Sequence, residues 1–258
     1  MKAAAFSKVK IESEIATHFG KAFRFQKTAA EVISTGIPEI DSLLGGLPRG
    51  GITEMVGPAS SGRTSLMLST LSQATNHQEI CALIDTNDSL DPASAATAGV
   101  VLDQLLWIRC ASKLEHAFKA ADLVLQGGGF GLVILDLSDV PSKDTKRIIS
   151  SWWYRFRRVV ENSPTVFMVM TQESCVRSCA TLTLQMKREL DLWSSTNEPQ
   201  HQESPFAACF KRTPNGFNSN PTHARFLRGS QIEVERQKPV LPNTPAKIGF
   251  TAKSSFVR

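Results

Sequence analysis

The sequence predicts an α/β protein: a mostly parallel central sheet flanked by helices, with antiparallel strands near the carboxyl end. Three observations predict it. Short apolar runs of strand length alternate with helical segments along most of the chain, which is the pattern of parallel β-α-β units. A glycine-bounded loop, GPASSGRTS, joins one such run (ITEMV) to a helix with an apolar face (LMLSTLSQA). Near the end, RFLRG and SQIEVERQK read as a closing strand pair.

Length and composition set the bounds. The chain has 258 residues, 41% hydrophobic and 21% charged, enough for a globular core in one or two domains. Its apolar runs fall well short of the roughly 20 residues that span a bilayer. The opening MKAAAFSKVKIESEIA has too short an apolar segment for a secretion signal and reads as a charged helix. The expectation is a cytoplasmic protein with no membrane partner. The five cysteines (Cys81, Cys110, Cys175, Cys179, Cys209) are odd in number and scattered, which disfavours zinc and suits buried thiols. The net charge of +5 permits a nucleic-acid partner.

The elements follow in order. Residues 3–19 can form a helix, and Phe23 and Phe25 suggest a short strand; together they could dock on a neighbouring subunit or pack on their own domain. Pro38 to Leu44 reads as a short helix stopped by Gly45-Gly46. Ile80 to Pro92 is a buried strand with an acidic exit; Asp91 and Pro92 open a helix to Ala98, which Gly99 ends. LLWIRC from Leu105 is the next strand. Ser112 and Glu115 have capping-box spacing for a helix through Leu125. The most apolar strand starts at Gly131 and ends in Asp136. A basic, aromatic helix is expected from Ser142 to about Asn162, where Lys143, Lys146, Arg147, Arg155, Arg157 and Arg158 interleave with Trp152, Trp153 and Tyr154. Its Ile148, Ile149, Trp152, Phe156 and Val159 have core spacing, so the arginines are a solvated face, a subunit contact or a nucleic-acid contact. A fifth strand runs from Thr165 to Gln172, then a loop and a strand from Thr181. Residues 194–222, rich in Ser, Asn, Pro and Gln, read as a mobile insertion or a long hairpin tip. The expected organisation is an N-terminal segment over 1–34, a core over 35–238 and an extended tail over 239–258.

The chemistry centres on Gly57, Pro58, Ala59, Ser60, Ser61, Gly62, Arg63, Thr64 and Ser65. This stretch fits the phosphate loop G-x-x-x-x-G-[K]-[ST], with arginine in the lysine position. Glycines let successive N–H groups curl around one anion, and the following helix adds its positive end. The Thr64 hydroxyl and the strand-end Asp136 are candidate Mg2+ residues; Asp136 could instead cap the next turn.

Order and spacing of ISTGIPEIDSLLGGLPRGGITEMVGPASSGRTSL, CALIDTNDSLDP, LVILD and MTQ resemble the bacterial RecA recombinases, and IEVERQK extends the likeness weakly. The resemblance implies a RecA-like core that binds ATP with Mg2+. It implies Gln172 as a γ-phosphate sensor, and Arg236 and Lys238 as basic residues reaching a neighbouring subunit's nucleotide. The departures are specific. The water-activating glutamate of the family falls at Asn87, which is no base, and the adenine-stacking tyrosine falls at Ser94. The DNA-binding loops after Asp136 and Gln172 are shortened, and the long carboxyl-terminal domain of RecA has no counterpart here. This pattern is similar to the ImuA-type accessory proteins of bacterial mutagenic translesion synthesis, with divergent recombinases of the same superfamily as the near alternative. The implied partners are single-stranded DNA, further copies or another recombinase, and translesion polymerase components. Three readings follow: a damage-response (SOS) protein that binds ATP and DNA with impaired hydrolysis; an active DNA-dependent ATPase and strand-exchange recombinase, using Asp85 or Asp88 in place of the glutamate; or a scaffold for repair partners that binds no nucleotide.

Overall fold

The computed structural model of the protein describes residues 31–193, 227–239 and 246–253. The helix and strand expected over residues 3–25, the polar segment 194–222 and Cys209 lie outside them. Strand β1 (Val32–Ile33) pairs antiparallel with β2 (Leu47–Pro48) around helix α1 (Pro38–Leu44). Proline starts α1, and Gly45 ends it at φ 73 with its N–H bonded to the Asp41 carbonyl, a left-handed stop that glycine adopts without strain. The Asp41 carboxylate reaches back to the Thr35 N–H at 2.9 Å and the Ser34 hydroxyl at 2.6 Å, closing the turn that precedes the helix.

The main sheet contains β3 (Gly51–Val56), β4 (Cys81–Asp85), β5 (Leu105–Arg109), β6 (Leu132–Asp136), β7 (Val166–Thr171), β8 (Leu182–Trp193), β9 (Leu227–Lys238) and β10 (Lys247–Lys253). Their order is β10-β9-β8-β3-β7-β6-β4-β5. The six strands from β8 to β5 run parallel, while β9 and β10 add antiparallel. Strand β3 is thus central, flanked by β7 and β8, and its carboxyl end delivers the glycine loop to the edge where such sheets bind ligands.

Parallel strands are covered on both faces, and β7 shows how. Val166, Met168 and Met170 enter one core, while Phe167 and Val169 enter the other, as a side-chain period of two requires. The first core lies under α2 (Arg63–Asn76), whose Leu66, Met67, Leu71 and Ala74 form one helical stripe. The second lies under α4 (Leu114–Gly127) and α6 (Ser150–Val160), where the Phe156 ring meets Phe118 at 5.7 Å, Trp153 at 6.0 Å and Phe167 at 5.4 Å. Burying one such phenylalanine contributes roughly 1.5–3 kcal/mol from apolar area alone. Two short helices, α3 (Pro92–Thr97) and α5 (Ser142–Thr145), complete the set; Asp91 caps α3 by accepting from the Ala93 and Ser94 N–H groups.

Several local expectations change. The basic segment is two helices, because the chain leaves α5 at Lys146 and re-enters helix only after the extended Ile149. This break re-phases the core face: Trp153, Phe156 and Val160 are buried, while Ile149 is 67% exposed. The cations there are partly neutralised already. Arg155 grips Asp122 through two bonds at 2.7 and 2.6 Å, and Arg157 and Lys146 pair with Glu161 and Glu173. Ser112 makes no capping box. It sits at φ 59, and its N–H goes to the Thr86 carbonyl at 2.7 Å, tying the loops after β4 and β5 together. Glu115 pairs instead with Lys119 at 2.6 Å. RFLRG and SQIEVERQK do not pair with each other: from Leu227 they form the single strand β9, whose partners are β8 and β10. Residues 247–253, within the stretch expected as a tail, supply the edge strand β10, which buries Phe250.

Candidate phosphate-binding site

The glycine loop leaves β3 anchored to its neighbour, with the Gly57 N–H donating to the Thr171 carbonyl at 3.1 Å. A Cβ at Gly57 would stand 2.5 Å from Ser61 Oγ and 2.6 Å from the Met186 carbonyl. Ser60 and Gly62 both take positive φ, 59 and 87. Gly62 is further constrained from outside, since a Cβ there would run into the Ile232 side chain of β9. These left-handed positions curl the loop into the nest expected of an anion cradle. Helix α2 then starts at Arg63 without a side-chain cap, so its first N–H groups are left to water or a ligand.

The curl borders a cavity of about 170 Å3 lined by Ser60, Ser61, Gly62, Arg63, Thr64 and Ser65, and roofed by Ser230, Ile232 and Ala252 of the β9–β10 hairpin. Ser65 and Ala252 also line an adjoining groove of about 660 Å3, which reaches Ile37, Leu68 and Phe250. Two polar atoms of residues that line the first cavity are sealed from solvent without a hydrogen-bond partner: Ser61 Oγ and Arg63 Nη1, on residues 1% and 6% exposed. Burial pulls the Arg63 pKa below its usual value, and the charges of Asp136 and Asp139 oppose that shift. Burial likewise pushes the Asp136 carboxyl above the usual carboxylate range; bonds from Ser138, including its N–H at 2.8 Å, oppose this, and the charges of Asp85 and Asp139 add to it. Gln172, at the exit of β7, donates from Nε2 to the Ser138 carbonyl at 2.9 Å. It braces the loop that follows Asp136.

The exit of β4 is built differently. Asp85 Oδ1 accepts from the Ser89 N–H at 3.0 Å, and its Oδ2 accepts from the Leu90 N–H at 2.9 Å and from Trp107 Nε1 at 3.2 Å. Asp88 holds Arg109 at 3.1 Å through Oδ2. Asn87 borders a separate cavity of about 390 Å3, with Thr86, Ser112, Pro141, Asp144 and Arg147, which shares no lining residue with the phosphate-sized one. The Ser94 hydroxyl is bonded to Asp91 at 2.6 Å, and Ser94 lines none of these cavities.

The loop residues therefore come together, with Asp136 within electrostatic reach of Arg63. Arg236 and Lys238 do not join them. Their strand register places them beside Leu184 and Thr183, level with Met55 and Glu54 of β3 and short of the loop. Arg236 is 7% exposed and donates to the Leu43 carbonyl of α1; Lys238 donates to the Ser178 carbonyl at 3.0 Å. Two sets of residues escape the sequence reading. Ser230, Ile232 and Ala252 reach the loop only through strand pairing, and no local motif marks them. Glu54, fully buried in β3, accepts from the Ser174 hydroxyl and the Cys175 and Val176 N–H groups, fixing the loop after β7. A carboxylate inside an apolar strand was its available signal, because buried charges are kept only when bonded.

The donor set fits a phosphoryl anion: two buried, unbonded donors, an uncapped helix start and a curled backbone. Thr64 is exposed on the loop cavity, and Asp136 accepts from the Ser138 N–H on Oδ1 while its charge acts on the Arg63 guanidinium; these are the residues that would hold Mg2+ beside a bound phosphate. Among the described residues no group of three His, Cys, Asp or Glu side chains could hold a metal ion.

Fold and site together define a parallel α/β protein with an anion cradle at the carboxyl edge of its central strand. The family model of the RecA N-terminal domain matches residues 9–144, and the chain belongs to the RecA family. It is 39% identical over 132 residues to Protein RecA of Methylococcus capsulatus, covering 48% of this chain and 38% of that one. It is 33% identical over 181 residues to Protein RecA of Desulfotalea psychrophila, covering 62% and 51%. The chain thus spans about half or less of the length of these curated relatives. A crystal structure of the RadB recombinase superposes with a TM-score of 0.57 at 16% identity, covering 86% of this chain and 96% of that one, a likeness of fold. Among the described residues, no helix is long and apolar enough to cross a membrane.

Proposed function

We propose that this RecA-family chain binds ATP in the Gly57–Ser65 loop and turns it over slowly or not at all. In this reading it serves the DNA-damage (SOS) response on single-stranded DNA, as an accessory to recombination or translesion synthesis. The observation that carries the reading is the loop itself, curled around a cavity that Ser61, Arg63 and Thr64 line. At the exit of β4, Asp85 is engaged by Ser89, Leu90 and Trp107, and Asp88 holds Arg109 through Oδ2 while its Oδ1 is buried and unbonded. The engagement of Asp85 weighs against its replacing the missing base. Losing a general base costs about 10²–10⁴-fold in rate. Self-association of the RecA type would use Lys238, the half-exposed member of the Arg236–Lys238 pair.

The test is a titration with a fluorescent ATP analogue, followed by phosphate release with single-stranded DNA, run beside a Protein RecA from one of the relatives. Saturable binding with turnover at least about 10²-fold lower is expected. Turnover equal to the recombinase would overturn the reading, and absence of binding would leave the scaffold.

A further inference from the structure

We infer that Gln73 of α2 reads the base of the bound nucleotide, with Ser69 beside its sugar, in the groove that continues from the loop cavity. The inference rests on the nucleotide reading above and specifies which nucleotide the site selects. Its first ground is continuity. The groove of about 660 Å3 shares Ser65 and Ala252 with the phosphate-sized cavity, and its volume is that of an ordinary ligand pocket. Leu68, Ile37 and Phe250 supply apolar wall for the face of a flat ring. Ser94, the position that the family resemblance assigns to adenine stacking, lines neither space, and its hydroxyl is bonded to Asp91 at 2.6 Å.

The second ground is a polar stripe along the groove. Ser65, Ser69 and Gln73 recur every four residues on α2 and so share one face. Ser69 and Gln73 stand about 6 and 12 Å along the helix axis from Ser65. A nucleotide whose phosphates sit at the first turn would lie along that stripe, with its sugar beside Ser69 and its base beside Gln73. Gly36 lines the groove against the same stripe: at φ 76 it comes so close that a Cβ there would stand 2.8 Å from Ser69 Oγ and 2.6 Å from Gln73 Cγ. Ser72, in the same groove, already donates to the Gly99 carbonyl at 3.0 Å. Ser69 and Gln73 are half-buried, are not sealed from solvent, and form no side-chain hydrogen bond among the described residues. A carboxamide offers a donor and an acceptor side by side, the pattern that adenine matches through N6 and N7 and guanine does not. The groove thus selects an adenine nucleotide by hydrogen bonding and not by stacking on an aromatic ring.

The experiment is equilibrium dialysis of radiolabelled ATP against the full chain in Mg2+, with unlabelled ATP, GTP or inorganic tripolyphosphate as competitor. Native protein, Gln73→Leu, Gln73→Ala and Ser94→Ala are compared, with circular dichroism showing that each is folded. Native protein is expected to bind ATP at least about 5-fold more tightly than GTP. Gln73→Leu and Gln73→Ala are expected to lose that preference, with ATP and GTP agreeing within about 2-fold, while tripolyphosphate competes as well as it does on native protein. Ser94→Ala is expected to keep the native preference, because Ser94 lines no part of the groove. A preference that survives both changes at Gln73, that is lost in Ser94→Ala, or that native protein lacks would overturn the inference while leaving the nucleotide reading intact. Absence of ATP binding by native protein would remove both.

Discussion

At the exit of β3 the chain curls a loop around a cavity; at the exit of β4 it commits the Asp85 carboxylate to the Ser89 and Leu90 amides and pairs Asp88 with Arg109. The two exits belong to one sheet edge, with β7 and β6 between them. At β3, the positive φ of Ser60 and Gly62 and the roof of Ile232 hold the cradle open around Ser61 and Arg63. At β4, Asp85 holds the turn through Ser89 and Leu90 and reaches across to Trp107. The difference teaches that binding and firing separate physically. An anion cradle is a backbone shape with a few donors, and it survives while its shape survives. A general base is one carboxylate at one place, and in the proposed reading Asn87 stands where it would be.

The comparison can be broken most forcefully at Gly62. Gly62→Val would place a branched side chain at φ 87 against Ile232, costing roughly 2–5 kcal/mol in strain and overpacking. Chemical denaturation should show that loss, and analogue binding should vanish. Asp85→Ala attacks the other exit. It leaves the Ser89, Leu90 and Trp107 donors without their acceptor, for roughly 2–4 kcal/mol, yet analogue affinity should stay within about 2-fold of native, because Asp85 does not line the loop cavity.

Asn87→Glu sharpens the contrast further. It restores a carboxylate, but one that opens on the cavity beside Pro141 and Asp144, apart from the phosphate cavity. Phosphate release should therefore rise about 10-fold or less, short of the 10²–10⁴ that a placed base supplies. Arg109→Ala has the smallest expected effect. It frees Asp88 from an exposed partner, should change stability by under about 0.5 kcal/mol, and should leave turnover unaltered. A rise in turnover would identify Asp88 as a latent base.

Much of this was legible in the chain before any coordinates. The alternation of apolar runs with helices defined the parallel sheet, because parallel strands must be covered on both faces. GPASSGRTS announced the cradle, because strand, glycine turn and helix start are all local. The same stretch showed arginine for lysine, and NDSLDP showed asparagine where the family has its glutamate. Other features were hidden by their nature. The helix break at Ile149 rests on which face meets Phe118 and Phe167, and a smooth helical period does not reveal it. The role of Phe250, in a proline-rich stretch read as tail, appears only once β10 pairs with β9.

By itself, then, the sequence determined the order of elements and the glycine-bounded loop between β3 and α2, since these depend on neighbours a few residues apart. Tertiary structure alone decided that Ser230, Ile232 and Ala252 roof the loop, that the charges of Asp136 and Asp139 act on Arg63, and that Asp85 accepts from Trp107. Those contacts join residues tens to nearly two hundred positions apart. Only strand order and burial bring them together, and neither leaves a local mark in the chain.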